Sequence, residues 1–149
     1  MGLYRSGLDY GFTPTDRDDL IAEKLWPIIK GIIMTCIENK QNIVIEGCYI
    51  MPEYINSFDD EYSKHIINIF LGFSNTYITN NFISEIIKNR CIIERRIYEE
   101  NRNENSFIKA SEELRLKCNN NNVNYFEIDI NYNNRISEIM QFIDEKYNG

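Results

Sequence analysis

The chain has 149 residues, 43% of them hydrophobic and 26% charged, which is the size and makeup of one ordinary packed domain and excludes wholesale disorder. Its 23 Asp and Glu against 16 Lys and Arg give a net charge of −7 and a pI near 4.8. That balance argues against a general nucleic-acid binder, which needs a basic footprint to displace counterions from phosphates.

No apolar stretch approaches the roughly 18 residues of a membrane-spanning helix, because residues 28–37 and 66–73 are interrupted by Lys30, Asn68 and glycine. The opening MGLYRSGLDYG lacks the apolar run of a signal peptide. Its first six residues fit the M-G-x-x-x-S pattern of N-myristoylation, but no polybasic run follows. The cysteines Cys36, Cys48, Cys91 and Cys118 are widely spaced without a C-x-x-C, and with no secretory signal they read as buried or idle thiols. The expectation is a cytoplasmic protein with neither a membrane nor a nucleic-acid partner. The 26 Ile and 20 Asn are attributed to low-GC coding bias, so the asparagine run at 119–122 reads as a loop.

After 15 residues without periodicity, Thr15-Asp16-Arg17-Asp18 forms a T-x-x-D capping-box pattern with acid in the first turn, where the helix dipole favours it. Leu20, Ile21, Leu25, Ile28, Ile29, Ile32, Ile33 and Cys36 then fall at helical spacing, with Pro27 expected to kink or split the helix. Residues 42–47, NIVIEG, are apolar at both parities and predict a strand buried on both faces of a parallel sheet. A short helical turn follows Pro52. Residues 66–71, IINIFL, predict a second strand. Ser74 can cap a long helix with Ile78, Phe82, Ile86, Ile93 and Ile97 on its apolar face. Phe107, Ala110, Leu114 and Cys118 mark a further helix, YFEI at 125–128 a third strand, and Ile136, Ile139, Met140, Ile143 and Tyr147 a last helix. Strands alternating with helices predict an α/β fold with a small, mainly parallel sheet of three strands and about five helices, in a single domain over 1–149.

The sharpest chemical feature is the apolar run that ends in Glu46-Gly47. Ligands of open α/β sheets sit beyond the carboxyl ends of the strands, where a carboxylate holds a magnesium ion through water or takes a proton from an attacking hydroxyl. A strand-end Glu that pairs with an arginine satisfies the same pattern. Arg90, Arg95, Arg96 and Arg102, half of the chain's arginines, lie within 13 positions. Their forked, permanently charged groups suit phosphate oxygens, and they equally suit a solvated face paired with Glu94, Glu99 and Glu100. GLYRSG at 2–7 has the glycine spacing of a phosphate loop, but Leu8 and Asp9 stand where Lys and Ser or Thr are required. His65, the only histidine, has no acidic or Cys partner at ligand spacing, so no metal site is expected around it. Trp26, Tyr4, Tyr10, Tyr49 and Tyr54 suit either an aromatic substrate wall or ordinary packing.

The order EKLWPIIKGII, NIVIEGCYIMPEYI, INIFLGFSN and NYFEIDINY resembles the later part of the P-loop small-molecule kinases, nearest the adenylate-kinase-like group labelled 2-phosphoglycerate-kinase-like. IVIEGCYIMP is the most specific piece. The resemblance implies an incomplete three-layer α/β/α kinase domain, with magnesium and ATP as cofactors and a small phosphate acceptor as substrate. It places the Walker-B-like carboxylate at Glu46, and nucleotide and phosphate contacts at Gly47, Arg90, Arg95 and Arg96. The acceptor region would include Arg5, Asp9 and Tyr10, and residues 129–132 would lie near the adenine.

The family's initial strand and its GxxxxGK[ST] loop have no counterpart here, so the chain reads as truncated at its N-terminus relative to the family. Most of the positioning and charge stabilisation of phosphoryl transfer would go with that loop. In the family's strand order the missing strand lies between NIVIEG and IINIFL. The two are therefore expected to pair directly, or to be repaired by a second copy of the chain in a homodimer; the third alternative is a mis-started or truncated reading of a longer protein.

Overall fold

A computed structural model of the chain describes residues 7–13, 15–89 and 103–148. The described residues form a mixed α/β structure in two compact units, Met1–Ile66 and Ile67–Gly149.

The first unit is built on one long helix, α1 (Asp18–Glu38), with two short helices, α2 (Pro52–Ile55) and α3 (Asp60–Ser63), after it. Asp18 and Asp19 occupy the first turn of α1 as expected. The capping box does not form, however: Arg17 is the N-cap residue with no side-chain cap, while Thr15 Oγ1 bonds Thr13 Oγ1 at 3.0 Å and Asp16 Oδ2 accepts the Thr13 amide at 2.6 Å. The Thr15 hydroxyl that would cap the helix is spent on the turn before it. Pro27 lies within α1 and does not split it. Ile21, Ala22 and Trp26 are the buried residues of α1. The Trp26 ring stacks on Tyr54 at 5.0 Å and meets Phe58 edge-on at 5.7 Å, and its Nε1 donates to Ser57 Oγ at 3.2 Å. Lys30 closes the cluster, with its ammonium 5.2 Å above the Phe58 ring and donating to the Ser57 carbonyl at 2.6 Å. Tyr62 OH donates to Glu38 Oε1 at 2.7 Å and ties α3 to the end of α1. Trp26 and Tyr54 are thus packed against each other.

NIVIEG is not a strand. Residues 41–47 carry no regular structure, Ile43 is 46% exposed and Val44 93% exposed. β-branched composition gives a segment the tendency to pair, but that preference is realised only with cross-strand neighbours and a covering layer.

The second unit holds two strands, β1 (Phe70–Phe73) and β2 (Tyr125–Ile128), in place of the expected three. They pair in parallel, with Phe70 opposite Tyr125 and Phe73 opposite Ile128. β2 has the expected bounds, whereas β1 starts four residues later than predicted. Asn68 takes the start of the earlier run: its Oδ1 accepts the Asn124 amide at 3.0 Å, and the Asn124 side chain donates back to the Asn68 carbonyl at 3.1 Å. Side-chain bonds thus replace the ladder ahead of β1.

Between the strands run α4 (Asn75–Asn81), a π-helical stretch at Phe82–Ile87, and α5 (Glu104–Asn121); α6 (Tyr132–Asn148) follows β2. Ser74 caps α4 as expected, accepting the Tyr77 amide at 3.0 Å. The π-helical turn interrupts the predicted single α-helix, with Phe82 edge-on to Phe107 of α5 at 5.5 Å. The rest of that predicted helix falls outside the described residues. The asparagine run is not the expected loop either. α5 continues through Asn121, and Asn122 ends it at φ +51°, a left-handed cap that asparagine tolerates.

Alternation along β1 and β2 assigns the layers. Tyr125 and Glu127 face α5, where Arg115 reaches Glu127 at 3.4 Å, and Phe126 faces α6, meeting Phe142 at 5.3 Å. The core of this unit is Phe70, Tyr77, Ile78, Cys118, Ile128 and Ile139. Gly72 is required in β1 because the Tyr125 ring lies across it; an added Cβ would meet Cε2 and Cζ at 2.8 Å. No helix among the described residues is long and apolar enough to cross a membrane.

Candidate functional site

A parallel pair directs both of its carboxyl ends to the same side, and there each strand hands over directly to a polar residue. Ser74 follows β1 and Asp129 follows β2, and Ser74 Oγ donates to Asp129 Oδ1 at 2.6 Å. The ladder also continues one step into this end, with the Ser74 amide donating to the Ile128 carbonyl at 3.0 Å. Ser74 therefore holds the strand end, the α4 cap and the Asp129 carboxylate together. Asn131 Oδ1 accepts the Asn134 amide at 3.1 Å and so begins α6 beside it. Asn75 Nδ2 donates to Glu112 Oε1 at 2.7 Å, linking α4 to α5.

Behind this end the charges are paired. Arg135 Nε donates to the Glu127 carbonyl at 2.8 Å and its guanidinium also bonds Glu138, while Arg115 reaches the Glu127 carboxylate. Desolvation, reinforced by the Glu127 charge and opposed by Arg115, pushes the Tyr125 phenol up to about 12. Tyr125 is thus a neutral donor at physiological pH, held 3.5 Å from Glu127 Oε1. Ile130 and Tyr132 stand exposed next to Asp129. Chemically, this end presents one solvent-facing carboxylate oriented by a hydroxyl, with apolar and aromatic neighbours.

Glu46 and Gly47 are exposed in the irregular segment 41–47 of the first unit, so the predicted strand-end carboxylate is not at a strand end. The Gly47 carbonyl accepts the Ile50 amide at 3.4 Å, and a Cβ there would meet nothing within 4 Å. Asp9 Oδ1 accepts the Gly11 amide at 2.8 Å, a local turn bond that suits Gly11 at φ +73°. The Tyr10 ring lies 6.3 Å from Phe12. Arg5, Arg90, Arg95 and Arg96 lie outside the described residues. His65 is exposed.

Among the described residues no three His, Cys, Asp or Glu side chains converge to hold a metal ion. Magnesium on a nucleotide takes one or two carboxylates and fills its octahedron with phosphate oxygens and water. Glu46 and Asp129 are each a single carboxylate of that kind, and the described residues do not complete a magnesium site. The Ser74–Asp129 contact escaped the sequence reading, although the signal was there: a polar residue directly behind each of two apolar runs.

No protein-family model matches the chain, and searches of curated proteins and of solved structures find no significant match.

Proposed function

We propose that the chain is a kinase-like, ATP-dependent phosphotransferase domain of the P-loop superfamily. It is impaired as a catalyst because its sequence carries no GxxxxGK[ST] loop, and it acts only when another segment or a partner supplies one. The supporting observation is the parallel β1–β2 pair with Ser74 and Asp129 bonded at its carboxyl end, where α/β folds bind their ligands. In this reading the fold is an incomplete α/β/α kinase domain. The resemblance alone supplies the roles: Glu46 would meet the magnesium ion, Gly47 with Arg90, Arg95 and Arg96 the phosphates, and Arg5, Asp9 and Tyr10 a small phosphate acceptor. By the same resemblance residues 129–132 would lie near the adenine. Bound magnesium would supply charge neutralisation of the phosphates.

Calorimetric titration of the full chain with magnesium–ATP tests this, alongside Glu46→Gln and Asp129→Asn. Micromolar binding that weakens about tenfold in either variant, a loss of about 1.4 kcal/mol, supports the reading. Absence of heat from a protein with intact helical circular dichroism overturns it.

The exposed Val44 and Ile43 favour a second reading, a non-catalytic remnant that binds a small anion or a protein. Binding of inorganic phosphate or of a protein without any response to magnesium–ATP is its signature.

A further inference from the structure

The two edges of the β1–β2 pair are treated differently. On β2 the outward carbonyl of Glu127 is taken by Arg135 Nε at 2.8 Å. On β1 the amides of Phe70 and Ser74 turn inward, donating to Asn124 and Ile128. By alternation, the amide and carbonyl groups of Leu71 and Phe73 face outward, and among the described residues the sheet has no third strand to receive them. This edge also lacks the usual protections. FLGF contains no charge and no proline, and Leu71 is 44% exposed.

The same chain carries a segment suited to such an edge. Residues 43–46, IVIE, are four in number like β1 and have no regular structure. Two of their apolar side chains stand in water, Val44 at 93% exposure. Apolar side chains at both parities suit a strand covered on both faces.

We propose that the outer edge of β1 is an interaction surface whose occupant is a second copy of this chain, which adds its residues 43–46 as a third strand while receiving the same segment in return. The exchange is isologous, so both copies bury the segment and both lose an open edge. It deepens the protein-binding reading above by naming the partner, and it stands independently of nucleotide binding. Each copy carries −7, so the copies repel at long range, and association strengthens with added salt.

The test is sedimentation of the full chain over a concentration series at two salt concentrations, with amide hydrogen exchange read by NMR at the dilute and concentrated ends. We expect a dimer favoured by concentration and by salt. The Leu71 and Phe73 amides should slow about tenfold or more on dimerisation, together with those of residues 43–46. The double substitution Val44→Pro with Ile45→Pro removes a ladder donor in either register, from a segment outside either core, and should abolish both effects with helical circular dichroism unchanged. A monomer at every concentration overturns the proposal. So does protection that is independent of concentration, which would mean pairing within one chain. A dimer that survives the double proline substitution places the contact elsewhere and overturns it too.

Discussion

Residues 43–46 read IVIE and residues 125–128 read YFEI, each three apolar side chains and one glutamate. The second run is a strand: Phe126 rests on Phe142, Ile128 is 1% exposed, and Arg115 and Arg135 hold the side chain and carbonyl of Glu127. The first carries no regular structure, with Glu46 among its exposed residues. Local composition is the same in kind, so pairing and cover decide between the two outcomes. β1 lies beside β2 and helices pack on the pair, whereas the described structure offers residues 43–46 no ladder.

This contrast can be broken most forcefully by truncation. Ile128→Ala removes a buried side chain from between β2 and its covering layer and should cost about 3 kcal/mol in urea unfolding, whereas Val44→Ala should stay within about 0.5 kcal/mol in a monomer. Comparable losses at both sites would mean that residues 43–46 are buried after all. Glycine gives the next largest difference. Gly72→Ala drives a Cβ into the Tyr125 ring and should lower stability by about 2 kcal/mol, while Gly47→Ala meets open space and should leave the denaturant midpoint unchanged. Adding Tyr125→Phe to Gly72→Ala should restore only part of the loss, because the ring edge stays in place.

A smaller effect is expected at the carboxyl end of the pair. Ser74→Ala removes the α4 cap and the Asp129 contact together and should cost about 1 kcal/mol, with Ser74→Thr recovering most of it. Thermal melts at neutral pH measure both. The smallest effect appears only in alkali. The Tyr125 phenol sits at about 12 in the folded chain against 10.0 when exposed, so the unfolded state ionises first. Stability from this residue is complete below pH 10 and drains away as the pH rises from 10 towards 12. Tyr125→Phe should flatten that part of the stability profile; an unchanged profile would mean the phenol is solvated.

The sequence made the helices legible because their signals are local. α1 and α6 follow from apolar spacing, α4 from the Ser74 cap, and β2 from a run bounded by Asn124 and Asp129. NIVIEG misled for a physical reason: a strand is a relation between segments, and composition cannot report a missing neighbour. The N-cap of α1 misled because Thr13 competes for the Thr15 hydroxyl. Of the candidate site, Asp9, Tyr10, Glu46 and Gly47 could be located, none at a strand end, and Arg5, Arg90, Arg95 and Arg96 lie outside the described residues. Ser74 and Asp129 stand 55 residues apart in the chain, and only the parallel register brings them together.

The paired asparagines Asn68 and Asn124 set a clock on the fold. They are 56 residues apart, and closing a loop of that length carries an entropic cost of about 3.5 kcal/mol before any contact offsets it. At a synthesis rate of about 5–20 residues per second, β1 leaves the ribosome roughly 3 to 11 s ahead of the strand it must meet. For those seconds both of its edges are open, while residues 43–46 of the same nascent chain have already emerged. The order of synthesis itself therefore bears on which strand reaches β1 first.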